Sequence, residues 1–212
     1  MKRGLRLSAL TLFIIVMFTA CGGGSDNTTI VVTAGKSPSS VAVESSGKFA
    51  YVANWGSNNI SIYTVNAATG VLIAVTDVAM GTKPISVAVD PSGKFAYAAN
   101  WGSNNISVYA INATTGALTA GTAVAAGTNP TSVAVDPSGK FAYAANWGSN
   151  DISFYTIDTT TGALTAPGPA VTAGTNPAFV TVDPSGKCLY AANESDNSIS
   201  VFAINKTTGV IQ

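Results

Sequence analysis

The chain has 212 residues, ten Lys plus Arg against ten Asp plus Glu, and no histidine. Charged residues make up only 9% of it, which excludes the concentrated basic surface that a nucleic-acid partner requires and leaves no imidazole to titrate near neutral pH. Ala, Val, Thr, Ser, Asn and Gly abound instead, a composition suited to β-strands and tight turns.

The N-terminal segment carries Lys2, Arg3 and Arg6 before the apolar run Leu7 to Ala20, too short for a permanent membrane helix, so residues 1–20 read as a signal peptide. Phe18-Thr19-Ala20-Cys21 sets small residues before a cysteine and resembles the lipobox at which bacterial signal peptides are cut. An ordinary signal peptide with an incidental cysteine is the alternative; the charge pattern and the Gly22-Gly23-Gly24-Ser25 tether within residues 21–29 favour lipidation. The resemblance implies an N-acyl diacylglyceryl group on Cys21 and a membrane partner through it. Gly22, where an Asp would favour the inner membrane, points to the outer membrane of a bacterial cell envelope, on its periplasmic or surface face.

Cleavage also removes both arginines, leaving seven lysines against ten acidic residues. With Cys21 lipidated, Cys188 is the remaining thiol and no intrachain disulfide can form. It occupies the position of Phe49, Phe95 and Phe141 in the repeat described next, which makes it a small apolar side chain rather than a nucleophile.

Self-alignment carries most of the information. Ser86 to Asn104 and Ser132 to Asn150 are the same nineteen letters, SVAVDPSGKFAYAANWGSN, 46 residues apart. Val41 to Asn58 is an earlier copy and Val180 to Asn197 a diverged later one, with Pro38, Pro84, Pro130 and Pro177 at matching positions. Each unit contains four short strands, as in Ser86 to Val89, Phe95 to Asn100, Ile106 to Asn112 and a weaker Gly121 to Ala126. Turn-rich connectors join them: Asp90-Pro91-Ser92-Gly93-Lys94, Trp101-Gly102-Ser103-Asn104-Asn105 and Asn112-Ala113-Thr114-Thr115-Gly116.

A lone antiparallel meander of this kind exposes apolar residues on both faces, here Val87, Val89, Phe95, Tyr97, Ile106 and Val108, and must stack on its neighbours. A period in the forties with four strands per unit specifies an all-β β-propeller of four repeats. The expected layout is a closing strand over 30–36 and blades over 38–83, 84–129, 130–176 and 177–212. Ile30-Val31-Val32-Thr33-Ala34-Gly35 stands before Pro38 as Ala123 to Gly127 stands before Pro130, so this strand is expected to pair with the last blade and close the ring. A four-bladed monomer, a two-chain ring of eight blades and descent from a larger propeller all remain open.

Tyr51-Val52-Ala53-Asn54, Tyr97-Ala98-Ala99-Asn100, Tyr143-Ala144-Ala145-Asn146 and Tyr190-Ala191-Ala192-Asn193 resemble YVTN repeats. The resemblance covers nearly all of Ile30 to Gln212. It implies a lactonase-like propeller related to 6-phosphogluconolactonase, or one of the envelope proteins that share the repeat, and it specifies fold more than chemistry.

Antiparallel connectivity puts the Trp-Gly-Ser-Asn loops on the same face, the top, as the inter-blade turns. Trp55, Trp101 and Trp147, beside Asn54, Asn100 and Asn146, form an aromatic rim suited to a glycan or protein ligand, or else each Trp packs over its own blade while the Asn closes a turn. Asn193 repeats the asparagine, but Glu194 replaces the fourth tryptophan. Lys36, Lys83, Asp151, Glu194 and Asp196 break the symmetry and are the candidates for a specific site. Asp90, Asp136 and Asp183 precede Pro-Ser-Gly-Lys and read as turn residues, not metal ligands.

The function expected from these features is a non-enzymatic envelope lipoprotein whose propeller serves as a binding module, without a cofactor. The second hypothesis is a lactonase, suggested by the resemblance alone. Against it stand the missing histidine and the lack of arginine beyond residue 6, because phosphorylated lactones call for cationic clamps. A quinone-cofactor propeller finds no supporting residues.

Overall fold

The computed structural model describes residues 30–166 and 168–212; the expected signal peptide, the expected lipidation at Cys21 and the expected tether lie outside the described residues. All regular structure among the described residues is β. The first sheet is β1 (Pro38–Val43), β2 (Phe49–Asn54), β3 (Asn59–Val65) and β4 (Leu72–Ala79), in that spatial order. The second comprises β5 (Pro84–Val89), β6 (Phe95–Asn100), β7 (Asn105–Ile111) and β8 (Leu118–Ala120), with β9 (Val124–Ala125) also paired to β7. The third repeats this with β10 (Pro130–Val135), β11 (Phe141–Asn146), β12 (Asp151–Ile157), β13 (Leu164–Thr165) and β14 (Val171–Thr172). The fourth has three strands, β15 (Pro177–Val182), β16 (Cys188–Asn193) and β17 (Ser198–Ala203).

The outer strand of the second sheet departs from the expected Gly121 to Ala126. It is split, because β8 pairs Ala120 with Tyr109 whereas β9 pairs Val124 with Ile106, one residue out of that register, so a bulge separates the two.

Side-chain alternation explains how the sheets stack. In Phe95-Ala96-Tyr97-Ala98-Ala99, Phe95 and Tyr97 point toward the third sheet, whereas Ala96 and Ala98 face the first. The small alanines leave room for the preceding sheet's Tyr51, Ile60 and Ile62. The same division recurs at the next interface, where Tyr143, Ile152 and Phe154 meet Val180, Leu189 and Ala191. Each large side chain buried this way contributes roughly 1.5–3 kcal/mol. Neighbouring first strands touch in sequence, β1 on β5, β5 on β10 and β10 on β15, which makes them the inner wall of a curved stack.

The expected seam is not formed. Residues 30–35 lie beside the first sheet, where Val32 packs on Ala50, Val52 and Tyr63, and the Tyr63 hydroxyl donates to the Thr33 carbonyl at 2.8 Å. The fourth sheet stops at β17 with a single bridge between Ile204 and Ile211. Closure by the N-terminal strand is therefore corrected to an open arc. The physical reason is that four sheets do not curve far enough round to bring residues 30–35 to the edge of β17, so Val32 and Thr33 keep their contact with the first sheet alone.

Candidate active site

The repeat builds the top face from paired loops. Trp101 and Gly102 donate their N–H groups to the carbonyls of Lys83 and Thr82, at 3.0 and 2.9 Å, locking the Trp loop to the inter-sheet turn. Trp55 with Ser37, Trp147 with Asn129, and Glu194 with Asn176 repeat that bond at 3.0 to 3.1 Å. Asn104, held at a φ of 53°, closes its loop and accepts the Asn129 N–H at 2.8 Å. Opposite, the Asp90 carboxylate accepts the N–H groups of Ser92, Lys94 and Phe95 at 2.8 to 3.0 Å, as expected of a turn residue.

A cavity of about 510 Å³ opens on the inner wall beneath this face. Its floor comes from the first strands: Ser39 and Ser40, Ile85 and Ser86, Thr131 and Ser132, Ala178 and Phe179. Its rim is Trp101, Trp147 and Glu194. Within the floor, the Oγ atoms of Ser40, Ser86 and Ser132 accept the N–H groups of Val87, Val133 and Val180, each at 3.2 Å. A hydroxyl used as an acceptor keeps its own proton to donate, so these serines form a row of donors. Ser39 and Thr131 instead spend their protons on backbone carbonyls, including those of Pro84 and Pro177.

Glu194 is the one carboxylate lining the cavity. The Trp147 indole Nε1 donates to its Oε2 at 3.1 Å, which orients the carboxylate and leaves Oε1 without a donor among the described residues. A carboxylate so placed, beside hydroxyl donors and indole faces, can activate water and hold an oxygen-rich ring.

Of the residues singled out from sequence, Trp101, Trp147 and Glu194 converge on this cavity. Lys83 does not line the cavity but sits between two indoles, its Nζ 4.9 Å from the ring centres of both Trp55 and the rim residue Trp101. Lys36 is exposed and joins the top face through its backbone, its N–H donating to Ser57 Oγ at 3.0 Å. Asn54, Asn100, Asn146 and Asn193 are buried and cannot meet a solute directly. Each uses Nδ2 to bridge the second and third strands of its sheet, Asn100 reaching Asn105 Oδ1 at 2.7 Å and Ser107 Oγ at 2.8 Å. Asp151 accepts from Asn146 and Ser149, and Asp196 accepts the Thr175 N–H, which holds its carboxyl below the ordinary range; both close loops.

The serine row and Phe179 were missed in the sequence. Their signal was present: Ser40, Ser86 and Ser132 stand two residues after Pro38, Pro84 and Pro130, and Phe179 breaks the series two after Pro177.

The sequence matches the model of the lactonase family, described as a seven-bladed β-propeller, over residues 25–135 and 119–212. No curated protein matches it. Among solved structures, a protein assigned as a 6-phosphogluconolactonase from Bacteroides fragilis shares 26% identity with a TM-score of 0.74, covering 82% of this chain and 52% of that one. A second so assigned, from Bacteroides uniformis, gives 22% identity and a TM-score of 0.77 with the same coverage. The periplasmic gluconolactonase of Pseudomonas aeruginosa gives 20% and 0.73, again over 82% and 52%. The chain thus spans about half the length of these structures. These matches overturn the expectation of a non-enzymatic binding module and favour the hydrolase alternative. By the match along nearly its whole described length, the chain belongs to the lactonase family of seven-bladed β-propellers.

Proposed function

We propose that this chain is a lactone hydrolase acting in the inner-wall cavity, with Glu194 as general base. The observation that carries the reading is the Glu194 carboxylate, fixed by Trp147 at the rim of a wall made of hydroxyls and aromatic faces. The carboxylate takes a proton from water as the water oxygen adds to the lactone carbonyl carbon. Hydroxyls of the serine row donate to the developing oxyanion. Collapse breaks the ring C–O bond, the leaving oxygen regains the proton from Glu194, and the product is the open hydroxy acid.

The cavity favours a neutral lactone over a phosphorylated one. Its lining holds a carboxylate and no cation, and Lys83, which stacks on the rim residue Trp101, is engaged by two indoles. Four repeats on an exported, lipid-anchored chain complete the proposal, supported by the charged-then-apolar N-terminus and the lipobox-like Cys21. The test is hydrolysis of a neutral sugar lactone and of its 6-phosphate by the full chain, each corrected for spontaneous opening. Preference for the neutral lactone supports the reading; absence of turnover on both overturns it.

A further inference from the structure

We propose that the cavity binds an organic cation, the protonated amine of an amino sugar, seated between the indoles of Trp101 and Trp147 beside the Glu194 carboxylate. The repeat itself shows what such a gap accepts. Between the preceding pair of indoles, Lys83 sets its ammonium 4.9 Å from the ring centres of both Trp55 and Trp101, within cation–π range of each. Trp-Gly-Ser-Asn stands at residues 55–58, 101–104 and 147–150, so consecutive gaps are walled by the same loops.

The backbone repeats from one gap to the next. Trp101 and Gly102 donate to the carbonyls of Lys83 and Thr82 at 3.0 and 2.9 Å, and Trp147 and Gly148 donate to those of Asn129 and Thr128 at 3.1 and 2.9 Å. Lys83 and Asn129 both stand in the left-handed region, at φ of 55° and 52°, and their N–H groups reach Asn58 and Asn104 Oδ1 at 2.7 and 2.8 Å. What differs is the side chain. The Asn129 amide is drawn down onto the loops, its Nδ2 donating to the Trp101 carbonyl at 3.1 Å and its Oδ1 lying 2.7 Å from where a Cβ on Gly148 would stand. It therefore does not reach the ring faces as the long stem of Lys83 does. Among the described residues no ammonium stands over Trp147.

Charge favours the same occupant. Trp101, Trp147 and Glu194 line one cavity, whose lining among the described residues carries that carboxylate and no cation. The Trp147 Nε1 donates to Glu194 Oε2 at 3.1 Å, which puts more negative charge on the indole and strengthens its attraction for a cation. Glu194 Oε1 is left to accept from an ammonium. On the wall below, the hydroxyls of Ser86 and Ser132 keep their protons for ring oxygens. An amino sugar meets both parts, its ammonium at the indoles and its hydroxyls at the serines. Binding is independent of hydrolysis; the substrate class alone rests on the lactonase reading, in which a lactone carrying an ammonium is preferred to its neutral counterpart, as the neutral one is to the phosphate.

The test reads binding and not turnover, so this site can fail while hydrolysis stands, and the reverse. The full chain is titrated calorimetrically, at neutral pH and low ionic strength, with glucosamine and with glucose. Glucosamine is expected to bind about tenfold tighter. Trp101→Leu removes one wall of the gap, and Asn129→Lys fills it with an ammonium of the chain's own, as Lys83 fills the other. Each is expected to cut the ratio of the two affinities about threefold or more, with Glu194 kept in both. Equal affinities in the unaltered chain, or no binding of glucosamine, overturn the proposal. A ratio undiminished in either variant assigns the preference to the carboxylate alone and overturns the aromatic site. If one variant does not fold, the other decides.

Discussion

The Tyr97 hydroxyl donates to the Gly162 carbonyl at 3.0 Å, a clasp between the second and third sheets whose two partners are both buried. Tyr97→Phe keeps the ring and leaves that carbonyl without its donor. A buried carbonyl stripped of its partner costs about 1–3 kcal/mol, so the urea unfolding midpoint falls by a corresponding amount. An unchanged midpoint contradicts the clasp.

Gly162 itself is required twice, by a φ of 75° and by the Phe95 ring, whose Cδ1 would lie 2.3 Å from an added Cβ. Gly47 shares the positive φ, at 72°, but has nothing within 4 Å of its Cβ position. Gly47→Ala is expected to cost roughly 1 kcal/mol of backbone strain, and Gly162→Ala at least about 3 kcal/mol, as overpacking is added. Equal losses in denaturant titrations contradict the account of sheet packing.

Alkaline stability follows from the tyrosines. Burial, with Glu44 adding to it, pushes the Tyr51 hydroxyl up to about 12 from its ordinary 10.0. Burial does the same for Tyr155, also to about 12. Because these folded-state values lie above the unfolded ones, the stability they contribute is intact below pH 10 and is lost as pH rises toward 12. Tyrosinate absorbance should rise together with loss of β circular dichroism in that window; ionisation at pH 10 with the fold intact contradicts the burial.

The acid limb has the opposite sign. The Ser185 hydroxyl and then the Cys188 N–H hold the Asp183 carboxyl at about 2, below its ordinary 3.8. Its contribution is present above pH 3.8 and disappears as pH falls toward 2. Asp183→Asn is expected to flatten the acid side of the stability curve in that interval, and an unaltered slope contradicts the role of this turn.

Much of the fold was legible because the repeat is nearly literal. Identical letters over Ser86 to Asn104 and Ser132 to Asn150 required identical sheets, and Asp-Pro-Ser-Gly-Lys announced its own turn. Closure was not legible, since the same residues Val32 and Thr33 could complete the fourth sheet or rest on the first. Local spacing does not distinguish these, and neither does the Tyr63 to Thr33 bond, because Tyr109 and Tyr155 bond Ala79 and Ala125 of the preceding sheet in the same way; the sheet topology does, with β17 as the edge of the fourth sheet. The site was half legible. Trp101, Trp147 and Glu194 stood out on the loops, but the inner serines look like ordinary strand residues until β1, β5, β10 and β15 are seen to share one wall.

The most direct measurement of the central claim is kcat/KM for a neutral sugar lactone with the full chain and its Glu194→Gln variant. Loss of the general base predicts a fall of about 100-fold or more with the unfolding midpoint unchanged, since Glu194 is exposed. Equal turnover by the two proteins contradicts the placement of the chemistry at Glu194.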